Sequence, residues 1–230
     1  MVNLVKVQKM IRKVFSYLIP IKIFQKKSSR SKMIEVTWAN GELVLDSENT
    51  NYSYGSLQRI LRYGLRNIGF KTIQEMNHIL VLGVAGGSVI KTLIDEIQFR
   101  GKITGVEIDA DMIQIANEYF NLSQIKQLEI IIDDAFEFVL KTKNQYDLII
   151  IDVFEDTNMP NFLFERFFSE RVLSLLKKQG FVLFNTMILD EKHNIRNCKY
   201  ISEINAELYS TKMLPRVEQH NELIIIEKVA

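Results

Sequence analysis

One cysteine, Cys198, and three prolines stand among 230 residues. A lone cysteine cannot close an internal disulfide, so the core must hold the fold, and a reducing, cytoplasmic setting is the expectation. So few prolines leave little room for a Pro-rich linker. Long apolar runs are also missing. Stretches such as Leu148 to Ile151 are strand-sized, whereas a membrane-spanning helix needs about 20 apolar residues, so no transmembrane segment is expected. The three histidines, His78, His193 and His220, share no spacing that suits a metal, and none is expected. No Gly-x-Ser-x-Gly turn is present, which removes one large class of hydrolases. Acidic residues are absent from the first 34 positions, which carry nine lysines and arginines. The remainder keeps 20 of the 29 basic residues against all 28 acidic ones, a formal charge of −8. A basic arm therefore precedes an acidic body.

Apolar residues intersperse with the cations of that arm. From Leu4 to Ile19 the pattern reads as an amphipathic helix ended by Pro20. Charge interrupts its apolar run and no cleavage pattern follows, so it is not a secretory signal. The favoured expectation is a helix packed on the body or on a second subunit of a homodimer, its cations in solvent. Contact with an anionic membrane surface or nucleic acid is the less favoured use.

From residue 33 the pattern changes. Ile34-Glu-Val-Thr-Trp38 and Glu42-Leu-Val-Leu-Asp46 flank Asn40-Gly41, a hairpin signal. Leu57, Ile60, Leu61, Leu65 and Ile68 follow at helical spacing. Strand-like runs near 79–83, 103–108, 128–132, 147–152 and 180–186 then alternate with helical stretches near 88–99, 110–120, 134–142 and 164–178. Such alternation predicts a parallel sheet with right-handed crossovers. A helix near 192–209 leads into strands near 212–218 and 222–228, and the short joint Gln219-His220-Asn221 demands that these two pair antiparallel. The expected fold is α/β, with a mostly parallel, Rossmann-like sheet of the class I methyltransferase type, seven strands wide and finished by an antiparallel strand. Three regions are read: a basic amphipathic helical arm over 1–32, a small β-hairpin region over 33–55, and the α/β domain over 56–230.

The most informative stretch is the turn after the first strand of that domain, Gly83-Val84-Ala85-Gly86-Gly87-Ser88. Glycines let the backbone approach a ligand where a Cβ would clash. Twenty-four residues after Gly83, Glu107 closes the next strand, close to the roughly 20 expected for a nucleoside-binding unit, where the acid accepts hydrogen bonds from ribose hydroxyls. A dinucleotide site wants Gly-x-Gly-x-x-Gly, and its second and third glycines are missing at Ala85 and Ser88. S-adenosylmethionine (SAM) carries no phosphate and tolerates a looser Gly-x-x-Gly-Gly turn. The bland alternative is a glycine turn that merely joins strand to helix.

Further acids fall at the ends of the following strands: Asp109, Asp133, Asp134 and Asp152. In open α/β sheets ligands lie outside these carboxyl ends. Glu107 can serve the ribose, Asp134 the exocyclic amine of adenine, and Asp152 the reacting end. Ala135 lets a purine approach the backbone. Asp109 and Asp133 suit simple helix caps. Asp152 can accept a proton from an amine nucleophile or orient it, and residues 153–161 beyond it are long enough to fold over a site. Tyr52 and Tyr54 either line a pocket or pack between hairpin and body.

Leu43-Val-Leu-Asp46, Tyr52-Ser-Tyr54, Val81-Leu-Gly-Val-Ala-Gly-Gly87, Val106-Glu-Ile-Asp109, Asp133-Asp-Ala-Phe-Glu-Phe138 and Tyr146-Asp-Leu-Ile-Ile-Ile-Asp152 together resemble the spermidine synthase family and its methyltransferase-like relatives. The resemblance runs from about Glu42 to Thr186. It implies a β-hairpin domain before a SAM-type fold, use of decarboxylated SAM, and transfer of its aminopropyl group to a polyamine. By position it makes Glu107 the ribose acid, Asp134 the adenine contact and Asp152 the acid beside the attacking amine. Two departures stand out. The family's Gly-Gly-Gly-Asp-Gly-Gly loop puts its aspartate where this chain has Gly86, and the family's Asp-Ser-x-Asp-Pro is here Asp152-Val-Phe-Glu-Asp156. Glu155 or Asp156 would then stand in for the second acid at the acceptor. The cofactor-site candidates are Gly83, Gly86, Gly87, Glu107, Asp134 and Ala135, with Asp152 catalytic and Tyr54, Glu155 and Asp156 on the acceptor. The expectation is a transferase that binds SAM or decarboxylated SAM as donor and moves a methyl or aminopropyl group to a small acceptor of amine type. The competing class is a non-catalytic nucleoside-binding or interaction protein with a degenerate polyamine site.

Overall fold

Two sheets form, and the smaller one is larger than a hairpin. The computed structural model of the chain describes residues 10–28, 30, 33–46, 51–155 and 158–230. Helix α1 covers residues 10–15. Strands β1 (Ile21–Lys26), β2 (Ile34–Ala39), β3 (Glu42–Asp46) and β4 (Asn51–Ser53) make an antiparallel sheet in sequence order. The Asn40-Gly41 hairpin is present, with Trp38 opposite Leu43. Strand β1 lies inside the stretch read as a helical arm. Its apolar residues Ile21 and Phe24 flank a bulge at Ile23, between Lys22 and Phe24, and that bulge disguises the two-residue period of a strand. The arm's helix also ends earlier than Ile19. The Ser16 carbonyl would receive the amide of residue 20, but Pro20 has none, and the carbonyl instead accepts Asn40 N–H at 3.0 Å.

The main sheet has seven strands in the order β10-β11-β9-β8-β5-β6-β7, built from β5 (His78–Leu82), β6 (Lys102–Glu107), β7 (Leu128–Ile132), β8 (Tyr146–Ile151), β9 (Leu176–Met187), β10 (Tyr209–Val217) and β11 (Asn221–Lys228). Strands β7, β6, β5, β8 and β9 are parallel, and β11 runs antiparallel to both β9 and β10. The expected mostly parallel sheet with an antiparallel strand is what forms. Alternate residues of each central strand feed two cores. Ile79, Val81, Leu148 and Ile150 face the side covered by α2 (Gly55–Ile68), α3 (Phe70–Gln74), α4 (Ser88–Lys91) and α5 (Ala110–Phe120). Leu80, Leu82, Ile149 and Ile151 face α6 (Ala135–Lys141), α7 (Arg166–Ser174) and α8 (Glu191–Ser202). Ile34, Val36 and Leu45 of the small sheet pack on Met112, Ile115 and Phe120 of α5.

Two helix ends differ from the sequence reading. The stretch 164–178 stops being helical after Ser174, because Leu176 pairs with Tyr146 and starts β9 through a bulge, with Gln179 left-handed at φ 59°. The stretch 192–209 stops after Ser202, and Tyr209 pairs with Lys228 instead. Both segments carry helix-compatible residues, and sheet pairing outweighs local propensity.

Candidate active site

Strand β5 lies between β6 and β8, so the chain turns one way to β6 and β7 and the other way to β8 and β9. The crevice outside the carboxyl ends at such a reversal is where open α/β sheets take ligands. Gly83 ends β5 there with φ +85°, and a Cβ on it would lie 2.1 Å from the Asp152 carbonyl oxygen. Only glycine allows the ends of β5 and β8 to meet this closely. Gly87 opens α4 in the left-handed region at φ +79°, against Leu122. A Cβ at Gly86 would come within 2.8 Å of Ser53 Cβ, so β4 closes over the glycine turn. Ala85 is itself left-handed, at φ 45°.

Glu107 holds that turn in place. Its Oε2 accepts Val84 N–H and Ala85 N–H at 3.0 Å each, and its Oε1 accepts Asp109 N–H at 3.0 Å. Burial pushes the Glu107 pKa above the usual carboxylate range, and the three N–H donors pull it back. The acid expected to serve a ribose thus also shapes the glycine turn.

Asp152 follows β8 and is only partly accessible to solvent. Its N–H donates to Leu82 O at 2.9 Å, and its Oδ1 accepts Asn185 Nδ2–H at 2.8 Å. Asn185 Oδ1 in turn accepts Asn221 Nδ2–H at 2.9 Å. Two amides, from β9 and β11, therefore orient the carboxyl. Burial raises its pKa to about 7, the Asn185 amide opposes the rise, and the charge of Glu107 adds to it. A carboxyl poised near neutrality suits proton acceptance from an amine.

The remaining candidates spread along the same edge. Asp134 caps α6, with Oδ1 accepting Phe136 N–H at 2.8 Å and Glu137 N–H at 3.3 Å. Both bonds use one oxygen, and among the described residues no hydrogen bond occupies the other, so an adenine amine can take it. Ala135, the first residue of α6, is buried. Asp133 N–H donates to Glu107 O at 3.1 Å, which ties the ends of β6 and β7 together. Asp109 is a cap, accepting from Asp111 and Met112, and it also receives Ser28 Oγ–H at 2.6 Å. Tyr54 stacks on Phe120 with ring centroids 4.5 Å apart and packs in the same cluster as Ala85. It fills the seam between the small sheet and the glycine turn, and burial raises its pKa. Glu155 is exposed in a tight turn, exchanging backbone hydrogen bonds with Asn158 at 2.8 and 3.0 Å. Among the described residues no hydrogen bond or ion pair joins it to Asp152. Asp156 lies outside the described residues. His78 bonds Thr104 at the opposite, amino end of the strands.

Two residues at the site escaped the sequence reading. Ser53 Oγ accepts Ser88 N–H at 3.1 Å and so caps α4 from another sheet. Asn185 ends the apolar run Phe181 to Phe184 just as the acids end theirs, a signal that a search limited to carboxylates passes over.

The Spermine/spermidine synthase domain family matches residues 60–225. A polyamine aminopropyltransferase of Prochlorococcus marinus (strain MIT 9301) is 28% identical over 152 residues, covering 60% of this chain and 53% of that protein. An eEF1A lysine and N-terminal methyltransferase homolog of Drosophila melanogaster is 36% identical over 78 residues, 33% of this chain and 11% of that protein. The chain thus spans about half the length of the first relative and a small part of the second. Among solved structures, a spermidine synthase in complex with the transition state analogue AdoDATO superposes with a TM-score of 0.67 at 18% identity, over 90% of this chain and 74% of that one. Human methyltransferase-like protein 13 in complex with SAH gives 0.62 at 20% identity, over 76% and 83%. Those two likenesses speak for the fold, while the family match covers well over half the chain, and by it the chain belongs to the spermine/spermidine synthase domain family.

Proposed function

We propose that the chain is a transferase whose crevice takes SAM or decarboxylated SAM as donor and passes an alkyl group, methyl or aminopropyl, to an amine. The observation that carries this reading is Asp152: a carboxyl near neutral pKa, oriented by Asn185, following β8 against Gly83 and near enough to Glu107 to feel its charge. Glu107 and the free oxygen of Asp134 suit the ribose and adenine of the donor. The amine nitrogen attacks the carbon bonded to the sulfonium, the carbon–sulfur bond breaks, and its electron pair stays on sulfur as a thioether. Asp152 accepts the proton that the new ammonium must lose. Most of the acceleration comes from holding the two reactants in line. Gly86, packed on Ser53, leaves no room for the loop aspartate that the family resemblance leads one to expect, so the donor's own amino group must be bound differently or not at all. Incubating the purified chain with each donor and a panel of amines, with products read by mass spectrometry, tests the reading. Asp152→Asn should lower turnover by about 10²–10⁴-fold with little change in donor affinity. Full turnover in that variant, on any acceptor found, would contradict the role given to Asp152.

A further inference from the structure

Over residues 10–19 the arm does not bury its apolar side on the body. Met10, Ile11, Val14, Phe15, Leu18 and Ile19 are between 47% and 80% exposed. They recur at intervals of four along α1 and the turn that follows, so they form one ridge. The opposite, polar side is the one that is anchored. Ser16 is buried, its hydroxyl accepts Gly41 N–H at 2.9 Å and its carbonyl accepts Asn40 N–H at 3.0 Å. The hairpin turn thus holds the segment from its polar side and turns its apolar side outward. That is the reverse of what a surface helix of a globular body does.

We propose that this ridge, residues 10–19 with the cations around it, docks on an anionic lipid surface. Charge argues for the occupant. Arg12 and Lys13 border the ridge, are exposed, and have no ion-pair partner among the described residues. Lys6 and Lys9 precede the ridge in sequence, and no acid occurs before Glu35. The remainder of the chain is acidic, so an anionic surface attracts the ridge and repels the body, which fixes one orientation. A convex row of apolar side chains bordered by cations matches an interface that can mould around it. No helix among the described residues is long and apolar enough to cross a membrane.

Flotation of the full chain with vesicles tests this directly. Vesicles of phosphatidylcholine containing about 30% phosphatidylserine should carry the chain at low salt, and recovery should fall at least about tenfold in roughly 0.5 M salt or on pure phosphatidylcholine. The double variant Phe15→Glu, Leu18→Glu should lose about tenfold or more in partition, because two exposed apolar side chains no longer leave water. Its melting temperature should change little, since both side chains lie mostly in solvent. Equal recovery on both vesicles, no recovery on either, or full retention by the double variant would overturn the proposal. So would self-association in sedimentation that the double variant abolishes while vesicles are ignored, which would make the ridge a contact between copies. Preference for nucleic acid over anionic vesicles would overturn it as well.

Discussion

At the scale of single residues the proposed chemistry rests on Asp152 and its neighbours, and pH reads them. The folded Asp152 titrates at about 7 against an ordinary value of 3.8. Between those values the folded chain holds a proton that the unfolded chain has released. Raising the pH through that window therefore costs stability, and below it the cost is absent. Melting temperature should fall as pH rises from about 4 to about 7, and Asp152→Asn should flatten part of that slope. An unchanged slope in the variant would mean that the carboxyl ionises freely, with no burial to oppose it. Glu107, raised by burial as well, works in the same direction. The acids were legible in the sequence because each ends an apolar run. Their restraints were not. That Asn185 bonds Asp152, and that Glu107 clasps Val84 and Ala85, depends on which strands are neighbours and how close they come.

Among the elements, the glycine turn joins sequence to fold most tightly. Gly83 and Gly87 are both left-handed, but a Cβ at Gly83 meets the backbone of Asp152 whereas one at Gly87 meets the flexible side chain of Leu122. Gly83→Ala should thus cost at least about 2 kcal/mol of stability, and Gly87→Ala less. Thermal or denaturant melts rank the two, and the reverse order would show that β5 and β8 can part without penalty. Central strands were easy to read, since five apolar runs of the right length alternate with helical stretches. Elements shaped by pairing were harder. Strand β1 carries a bulge, the early part of β9 reads as helix, and Ser53 caps α4 across a gap of 35 residues. Local pattern does not encode partners at that distance.

Across the whole molecule, a parallel sheet with its reversal at β5 and β8 brings Gly83, Glu107 and Asp152 to its carboxyl edge, and a second sheet closes over the glycine turn through Ser53 and Tyr54. The fold followed from the alternation of elements, and the family match accords with it. Use of the crevice by a sulfonium nucleoside is the step that binding can decide. Calorimetry of the purified chain against SAM, decarboxylated SAM, methylthioadenosine and NAD, repeated with Glu107→Ala, is the most direct measurement. At least one of the first three should bind while NAD does not, and Glu107→Ala should weaken that binding tenfold or more, given about 1.5–3 kcal/mol for a charged hydrogen bond. Binding of NAD alone, or an affinity for every nucleoside that Glu107→Ala leaves unchanged, would contradict the site described.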